Sequence, residues 1–235
     1  MTLHVTNGDS TAAALRETSL GGDVLPWRDA LHEGPLGSRE GRAEFLAVCG
    51  LGSYHGLLSD LVARDYALAG ALRVVLWFEN DLYDQLQLVE ILARRPPAAE
   101  LIQASVFLGE LAPSELESLW PTRARVTAEQ LDLAAAVWGE LVAGGTALER
   151  DLSALPFLEA ALRRLAEDRR DPPRSDRQLL EILAEGPRTR CELFQENATR
   201  EEVVFAGDFW IWRRIDALVA RGAVVEVGET LRLAP

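Results

Sequence analysis

Apolar runs of two different periods alternate along the first hundred positions, so that strands and helices are expected to take turns. Residues 3–6 (LHVT) interleave apolar and polar side chains before the turn-forming pair Asn7-Gly8, the pattern of a short strand. From Ser10 a run with three consecutive alanines and Leu15 predicts a helix that stops at Gly21-Gly22. Residues 23–27 (DVLPW) restart as a second strand. Two amphipathic helices are expected at 39–48 and 53–68, the latter with Leu57, Leu58, Leu61 and Val62 at helical spacing. Residues 73–78 (RVVLWF) are almost wholly apolar and β-prone, as in a central strand covered on both faces. A helix over 81–93 carries Leu82, Leu86, Val89 and Leu92 on one stripe and stops before Pro96-Pro97. LIQASVFL at 101–108 supplies a fourth strand.

This alternation implies right-handed crossovers, and the expected fold is α/β: an open, mostly parallel sheet of about four strands with flanking helices, over residues 1–112. Beyond Pro113 the pattern turns helical, with 128–142 and 154–166 the longest runs, so 113–170 reads as a helical extension packing on that domain. The paired prolines of DPPR, at 171–174, cannot continue a helix and suggest a linker. In 175–235, helices are expected at 175–185, 190–195 and 208–221, followed by a hairpin turning at Gly228-Glu229. Three helices and a hairpin make a winged-helix-like module.

Charge narrows the classes of function. The 235 residues include 24 basic and 37 acidic side chains, for a net charge of −13, which opposes binding to a large polyanion. Every basic residue is Arg, so a P-loop phosphate lysine and the Schiff-base lysine of a pyridoxal phosphate enzyme are both excluded. Cys49 and Cys191 are too few for a disulfide framework or a cysteine-rich zinc site, as expected of a protein of the reducing bacterial cytoplasm. The start MTLHVTNGDS has neither a basic nor an apolar leader segment, and no apolar run reaches a membrane-spanning length, so no membrane association is expected.

Candidate chemistry gathers in the loops after the first three strands, because open parallel sheets bind ligands at the strand carboxyl ends. The first loop offers Asn7, Gly8, Asp9 and Ser10, where close backbone approach and a helix start suit a phosphate or carboxylate. The second offers Arg28, Asp29, His32 and Glu33, with Trp27 beside them. The third offers Glu79, Asn80, Asp81, Tyr83, Asp84 and Gln85. If the fold is as expected, Asp9, Glu79, Asp81 and Asp84 converge and call for a divalent cation, Mg2+ or Mn2+ by the hardness of their oxygens. Asp9, Ser10, Asp29, His32 and Glu33 are the candidate catalytic groups; Asn7, Gly8, Ser10, Trp27, Arg28, Tyr83 and Gln85 are candidate ligand contacts. The bland alternative is that several of these only cap helices: Asp81-x-x-Asp84 has capping-box spacing.

Gly8-Asp9-Ser10 between strand and helix also resembles the first block of the GDSL esterases, which would make Ser10 a nucleophile served by Asp29 and His32 with Asn80 as oxyanion donor. Those esterases carry their Asp and His late in the domain, whereas here both come early. Taken together, HVTNGDS at 4–10, GDVLPWRDALHEGP at 22–35 and LWFENDLYDQ at 76–85 resemble a bacterial family catalogued as domain-of-unknown-function family 1835. Leu193-Phe194 and the run from Trp210 to Arg214 extend the resemblance over most of the chain. It implies a shared site without a reaction. The third loop departs from the family pattern at Asn80, where that pattern carries His, which directs attention to carboxylate and amide chemistry at Glu79, Asp81, Asp84 and Gln85.

The last module carries 11 acidic and 8 basic side chains over 175–235, net −3, and Phe209, Trp210, Ile211 and Trp212 look built for burial; a protein partner suits it better than nucleic acid. The leading expectation is a protein that binds, and hydrolyses or transfers a group from, a small phosphorylated or nucleotide-like ligand with a divalent cation. A non-enzymatic ligand-sensing regulator acting through the C-terminal module, and the Ser10 esterase, are the alternatives.

Overall fold

The computed structural model describes residues 2–234, in two compact units, Met1–Leu162 and Arg163–Pro235. The first unit is α/β. Its sheet has the order β2-β1-β3-β4-β5, with β1 at Thr2–Thr6, β2 at Asp23–Pro26, β3 at Arg73–Glu79, β4 at Ala99–Ala104 and β5 at Ala124–Arg125. The first four strands are parallel, as the alternation predicts, and β5 adds a short antiparallel edge against β4. Two residues carry no periodicity, so β5 has no signature in the sequence. The helices are α1 (Asp9–Arg16), α2 (Arg39–Val48), α3 (Tyr54–Gly70), α4 (Leu82–Ala93), α5 (Pro113–Leu119), α6 (Ala128–Val142) and α7 (Leu158–Asp168), the last crossing the division between units.

Strand β3 is central, and Val74 to Phe78 are fully buried. On one face Val75 and Trp77 pack with Leu15 of α1, Ile102 of β4 and Leu116 of α5. The indole N–H of Trp77 donates to Nδ1 of His4 at 3.1 Å, so the His4 Nε2 proton donates to the carbonyl of Gly21 at 2.9 Å. Burial pushes the His4 pKa down, in keeping with a neutral structural imidazole. Gly22, at φ 103°, lies where an added Cβ would sit 2.6 Å from the Thr2 carbonyl, so only glycine closes this turn.

Helix α4 is enclosed from Leu82 to Leu92, with Tyr83 alone half-exposed. Such a helix cannot send polar side chains to water, yet it carries Asp84, Gln85, Gln87 and Glu90. Each therefore needs partners inside the protein. The parallel register sets Thr6 beside both Pro26 and Trp77, so the loops after β1, β2 and β3 leave the same edge of the sheet, where the polar residues were expected to meet.

The second unit contains α8 (Arg174–Ala184), β6 (Arg188–Thr189), α9 (Arg190–Thr199), α10 (Asp208–Ala220), β7 (Val224–Val227) and β8 (Thr230–Leu233), with a sheet of order β6-β8-β7. Leu179, Ile182, Leu193, Ile211, Ile215, Leu218, Val224 and Leu231 form its core. Of the aromatic run that opens α10, Ile211 is buried and Trp212 is 36% exposed, so the run faces both ways rather than into one contact. The unit begins inside α7 and not at the prolines of 171–174. The reason is electrostatic: Arg164 binds Glu201 at 2.7 Å and Ser175 at 2.7 Å, and Arg214 reaches Asp168 at 3.2 Å, which ties the end of α7 to the helices that follow.

Candidate functional site

The site is built where β3 runs into α4. Glu79 ends the strand, and Asp81 caps the helix, its Oδ1 accepting the N–H of Asp84 at 2.9 Å. Asp84, one turn in, reaches back so that its Oδ2 accepts the N–H of Glu79 at 2.5 Å. The amide of Gln85 donates to the Glu79 carbonyl at 2.5 Å. From the end of β1, Asn7 lays its Nδ2 between two carboxylates, 2.8 Å from Asp84 Oδ1 and 3.3 Å from Glu79 Oε1. Hydroxyl donors from Thr6 and Thr11, both at 3.4 Å, face its Oδ1 and fix the amide's orientation. From beyond β4, the N–H of Leu108 donates to Glu79 Oε1 at 2.8 Å.

Glu79, Asp81 and Asp84 thus meet, with one oxygen of each lying within 4.8 Å of the others. They are 3%, 4% and 0% exposed. The other buried acids of the chain are paired with arginine: Asp29 with Arg42 at 2.7 Å, Glu90 with Arg39 at 2.6 Å, and Asp176 with Arg221 at 3.0 Å. The triad accepts hydrogen bonds from neutral donors, the Asn7 amide and the backbone N–H groups of Glu79, Asp84 and Leu108. Burial lifts all three, Asp81 to about 7 and Asp84 well above the ordinary carboxylate range, with repulsion inside the triad adding to the rise of Asp81 and Asp84 and repulsion from Glu110 to that of Glu79. At neutral pH the cluster holds a proton or needs a cation. Oε1 of Glu79, Oδ1 of Asp81 and both oxygens of Asp84 already accept hydrogen bonds, which leaves Glu79 Oε2 and Asp81 Oδ2 as the oxygens best placed to take up a ligand.

The remaining candidates fall around this centre unevenly. Asp9 is not a fourth member: its exposed carboxylate pairs with Arg28 at 2.6 Å, and that ion pair accounts for both residues. Gly8 caps α1 in an extended conformation without a side-chain cap, and the first helical bond runs from the Ala12 N–H to its carbonyl. Ser10 is exposed on this first turn. Tyr83 donates its hydroxyl to the Asn7 carbonyl at 3.4 Å and meets the His32 ring edge-on, 5.9 Å between centroids, which brings His32 to the triad's border. Gln85 is buried beside the triad, its amide N–H on the Glu79 carbonyl and its Oε1 without a hydrogen-bond partner. The carbonyl of Glu33 accepts from Arg42, while its side chain is half-buried.

Two expectations in the second loop are corrected. Asp29 is a buried structural anion held by Arg42 and, at 3.4 Å, by Arg64, so it cannot also serve as the acid of a serine triad. Trp27 is fully buried, its indole N–H on Glu90 at 2.7 Å and its ring under the Arg64 guanidinium at 3.9 Å, with no face left for a ligand. Sequence reasoning missed the cause: Arg39 and Arg64 pair with Glu90, Arg42 and Arg64 with Asp29, and Gln87 donates to the Asp29 carbonyl at 2.9 Å. Burial alone would push Glu90 up, but Arg64 and Arg39 reverse this and hold its pKa below the ordinary value. The signal lay in helical position: Arg64 shares a face with Leu61 and Leu68, and Arg42 one with Leu46.

Comparison of the chain with protein-family models, with curated proteins and with solved structures gave no match.

Proposed function

We propose that the protein binds a divalent cation, Mg2+ or Mn2+, between Glu79, Asp81 and Asp84, and through it a small phosphorylated or nucleotide-like ligand on which hydrolysis or group transfer takes place. The observation that carries this reading is the meeting of three buried carboxylates, one oxygen of each within 4.8 Å of the others, whereas Asp29, Glu90 and Asp176 are each held by arginine. Hard carboxylate oxygens at this spacing suit Mg2+ or Mn2+. Asn7 positions Glu79 and Asp84, and the uncapped first turn of α1, with Gly8 and exposed Ser10, offers backbone N–H groups to an anion next to the metal. A bound cation would draw a phosphoryl group toward that turn and neutralise its charge.

The C-terminal unit supports a role in communication. Its element order, helix, strand, two helices, two strands, fits a winged-helix-like module, and its net charge of −3 over 175–235 favours a protein partner over nucleic acid. Among the described residues no helix is long and apolar enough to cross a membrane.

The test is a thermal-shift panel of Mg2+, Mn2+ and Ca2+, each with and without inorganic pyrophosphate or nucleoside phosphates. A cation that raises the melting midpoint, and a phosphate that raises it further only with the cation, is the expected result. No response to any cation at pH 8 would overturn the reading.

A further inference from the structure

We propose that Gln85 is a ligand of the cation site, its side-chain carbonyl oxygen joining Glu79 Oε2 and Asp81 Oδ2 around one divalent ion. The inference rests on the cation reading of the triad and adds the neutral oxygen that completes the protein's ligand set. Gln85 lies early in α4, fully buried, where its amide N–H donates to the Glu79 carbonyl at 2.5 Å. A carbonyl can only accept, so this bond fixes which end of the amide is nitrogen. Oε1, on the same carbon as that nitrogen, is thereby held in the β3 to α4 turn with the three acids, and it has no hydrogen-bond partner.

A buried acceptor left without a donor costs free energy, and folded proteins keep few of them. Turning the amide over would not relieve it, because two acceptors would then face each other at 2.5 Å. The ionised carboxylates of the turn are acceptors too and offer Oε1 nothing. What the amide oxygen and the acids share is the capacity to hold a cation, which satisfies lone pairs and charge in one step.

The hydrogen bonds already made select the ligand set. Glu79 Oε1, Asp81 Oδ1 and both Asp84 oxygens are taken up by N–H donors. Glu79 Oε2, Asp81 Oδ2 and Gln85 Oε1 remain, two charged oxygens and one neutral. Two carboxylates balance the charge of a divalent ion, while Asp84 keeps its bonds to Asn7 and the Glu79 N–H. All of these oxygens are hard, and none is the nitrogen or sulfur that Zn2+ favours, which fits Mg2+ or Mn2+. Such a set leaves positions of an octahedral ion open to water and to the oxygens of a phosphorylated ligand.

Titration of the full chain with Mn2+ at pH 8, the free ion followed by electron paramagnetic resonance, tests this on the wild type, Gln85→Met and Gln85→Glu. Both variants remove the N–H donated to the Glu79 carbonyl, and only Glu returns an oxygen. Gln85→Met is expected to weaken Mn2+ binding by about 10–100-fold, the range seen when a group supporting a metal's ligand set is lost, and Gln85→Glu to bind at least as tightly as the wild type. Wild-type crystals soaked in Mn2+ should show the ion bonded to Gln85 Oε1 at about 2.1–2.2 Å, a readout that needs no variant to fold. A wild type that takes up no Mn2+ overturns the cation reading and this inference with it. A wild type that binds while Gln85→Met binds equally well, or while both variants are weakened alike, leaves the cation reading standing and overturns the role of Gln85. A bound ion out of bonding distance of Oε1 overturns that role as well.

Discussion

Replacing Asp81 by Asn separates a helix cap from a cation site. Asn caps a helix about as well as Asp, and its Oδ1 keeps the 2.9 Å bond from the Asp84 N–H, so the structural role survives while one charge is removed. In the wild type the Asp81 carboxyl is held at about 7 instead of the ordinary 3.8, chiefly by desolvation. A folded pKa raised above the unfolded one means that the folded state loses stability as pH rises through about 7, and that the loss is absent below 3.8. At about 1.4 kcal/mol for each unit of pKa, ionising the group costs on the order of 4 kcal/mol above neutrality. Asp81→Asn should then raise stability by roughly 2–4 kcal/mol at pH 8 in chelator, about 5–15 °C in melting midpoint for a protein of this size, and by almost nothing near pH 4. Saturating Mn2+ should reverse the order, because a cation at a thousand times its dissociation constant adds about 4 kcal/mol to the wild type. The assay is thermal unfolding followed by tryptophan fluorescence at the two pH values, with chelator and with Mn2+. A pH-independent difference between the two proteins, unaltered by Mn2+, would refute the reasoning.

Other perturbations probe the surroundings. Asn7→Ala withdraws the donor shared by Asp84 and Glu79 and should destabilise the first unit by about 1–3 kcal/mol, read as a shift in denaturation midpoint. Arg64→Ala leaves Glu90 and Asp29 short of positive charge in a dry site and should cost about 3–5 kcal/mol, whereas Arg28→Ala, at an exposed pair with Asp9, should cost under about 1 kcal/mol. Affinity for Mn2+, measured by titration calorimetry, should climb as pH rises through about 7 and the cluster gives up its proton; a flat profile from pH 6 to 8 would place the cation elsewhere. Ser10 should not react with a fluorophosphonate probe, because Asp29 is engaged by two arginines; stoichiometric labelling would revive the esterase reading.

How far the sequence carried depends on the range over which each feature is decided. The continuous apolar run of β3 and the turn residues after β1 are local signals, and together with the parallel crossover rule they placed Asn7 beside Glu79 and Asp84, as the register bears out. Asp81 and Asp84 three residues apart announced a helix start, and their meeting with Glu79 follows from that short turn. Asp9, Asp29 and Trp27 were assigned to the same edge correctly but to the wrong neighbours, since each partner lies far off in the chain: Arg28 for Asp9, Arg42 and Arg64 for Asp29, Glu90 for Trp27. An arginine on an amphipathic helix reads as solvent-facing, and only packing shows that Arg42 and Arg64 are turned inward. The start of the second unit was hidden for the same reason, because the ion pairs of Arg164 and Asp168 draw the end of α7 into it although the prolines come later.

The central claim, that the three acids of the β3 to α4 turn await a cation, is met most directly by diffraction from crystals soaked in Mn2+ at pH 8, recorded where manganese scatters anomalously. The account predicts one anomalous peak bonded to Glu79 and Asp81 carboxylate oxygens at about 2.1–2.2 Å, with Asp84 in direct or water-mediated contact. A map with no peak there at saturating Mn2+, the three side chains unmoved and still bonded to Asn7 and the backbone N–H groups of Glu79, Asp84 and Leu108, would contradict it.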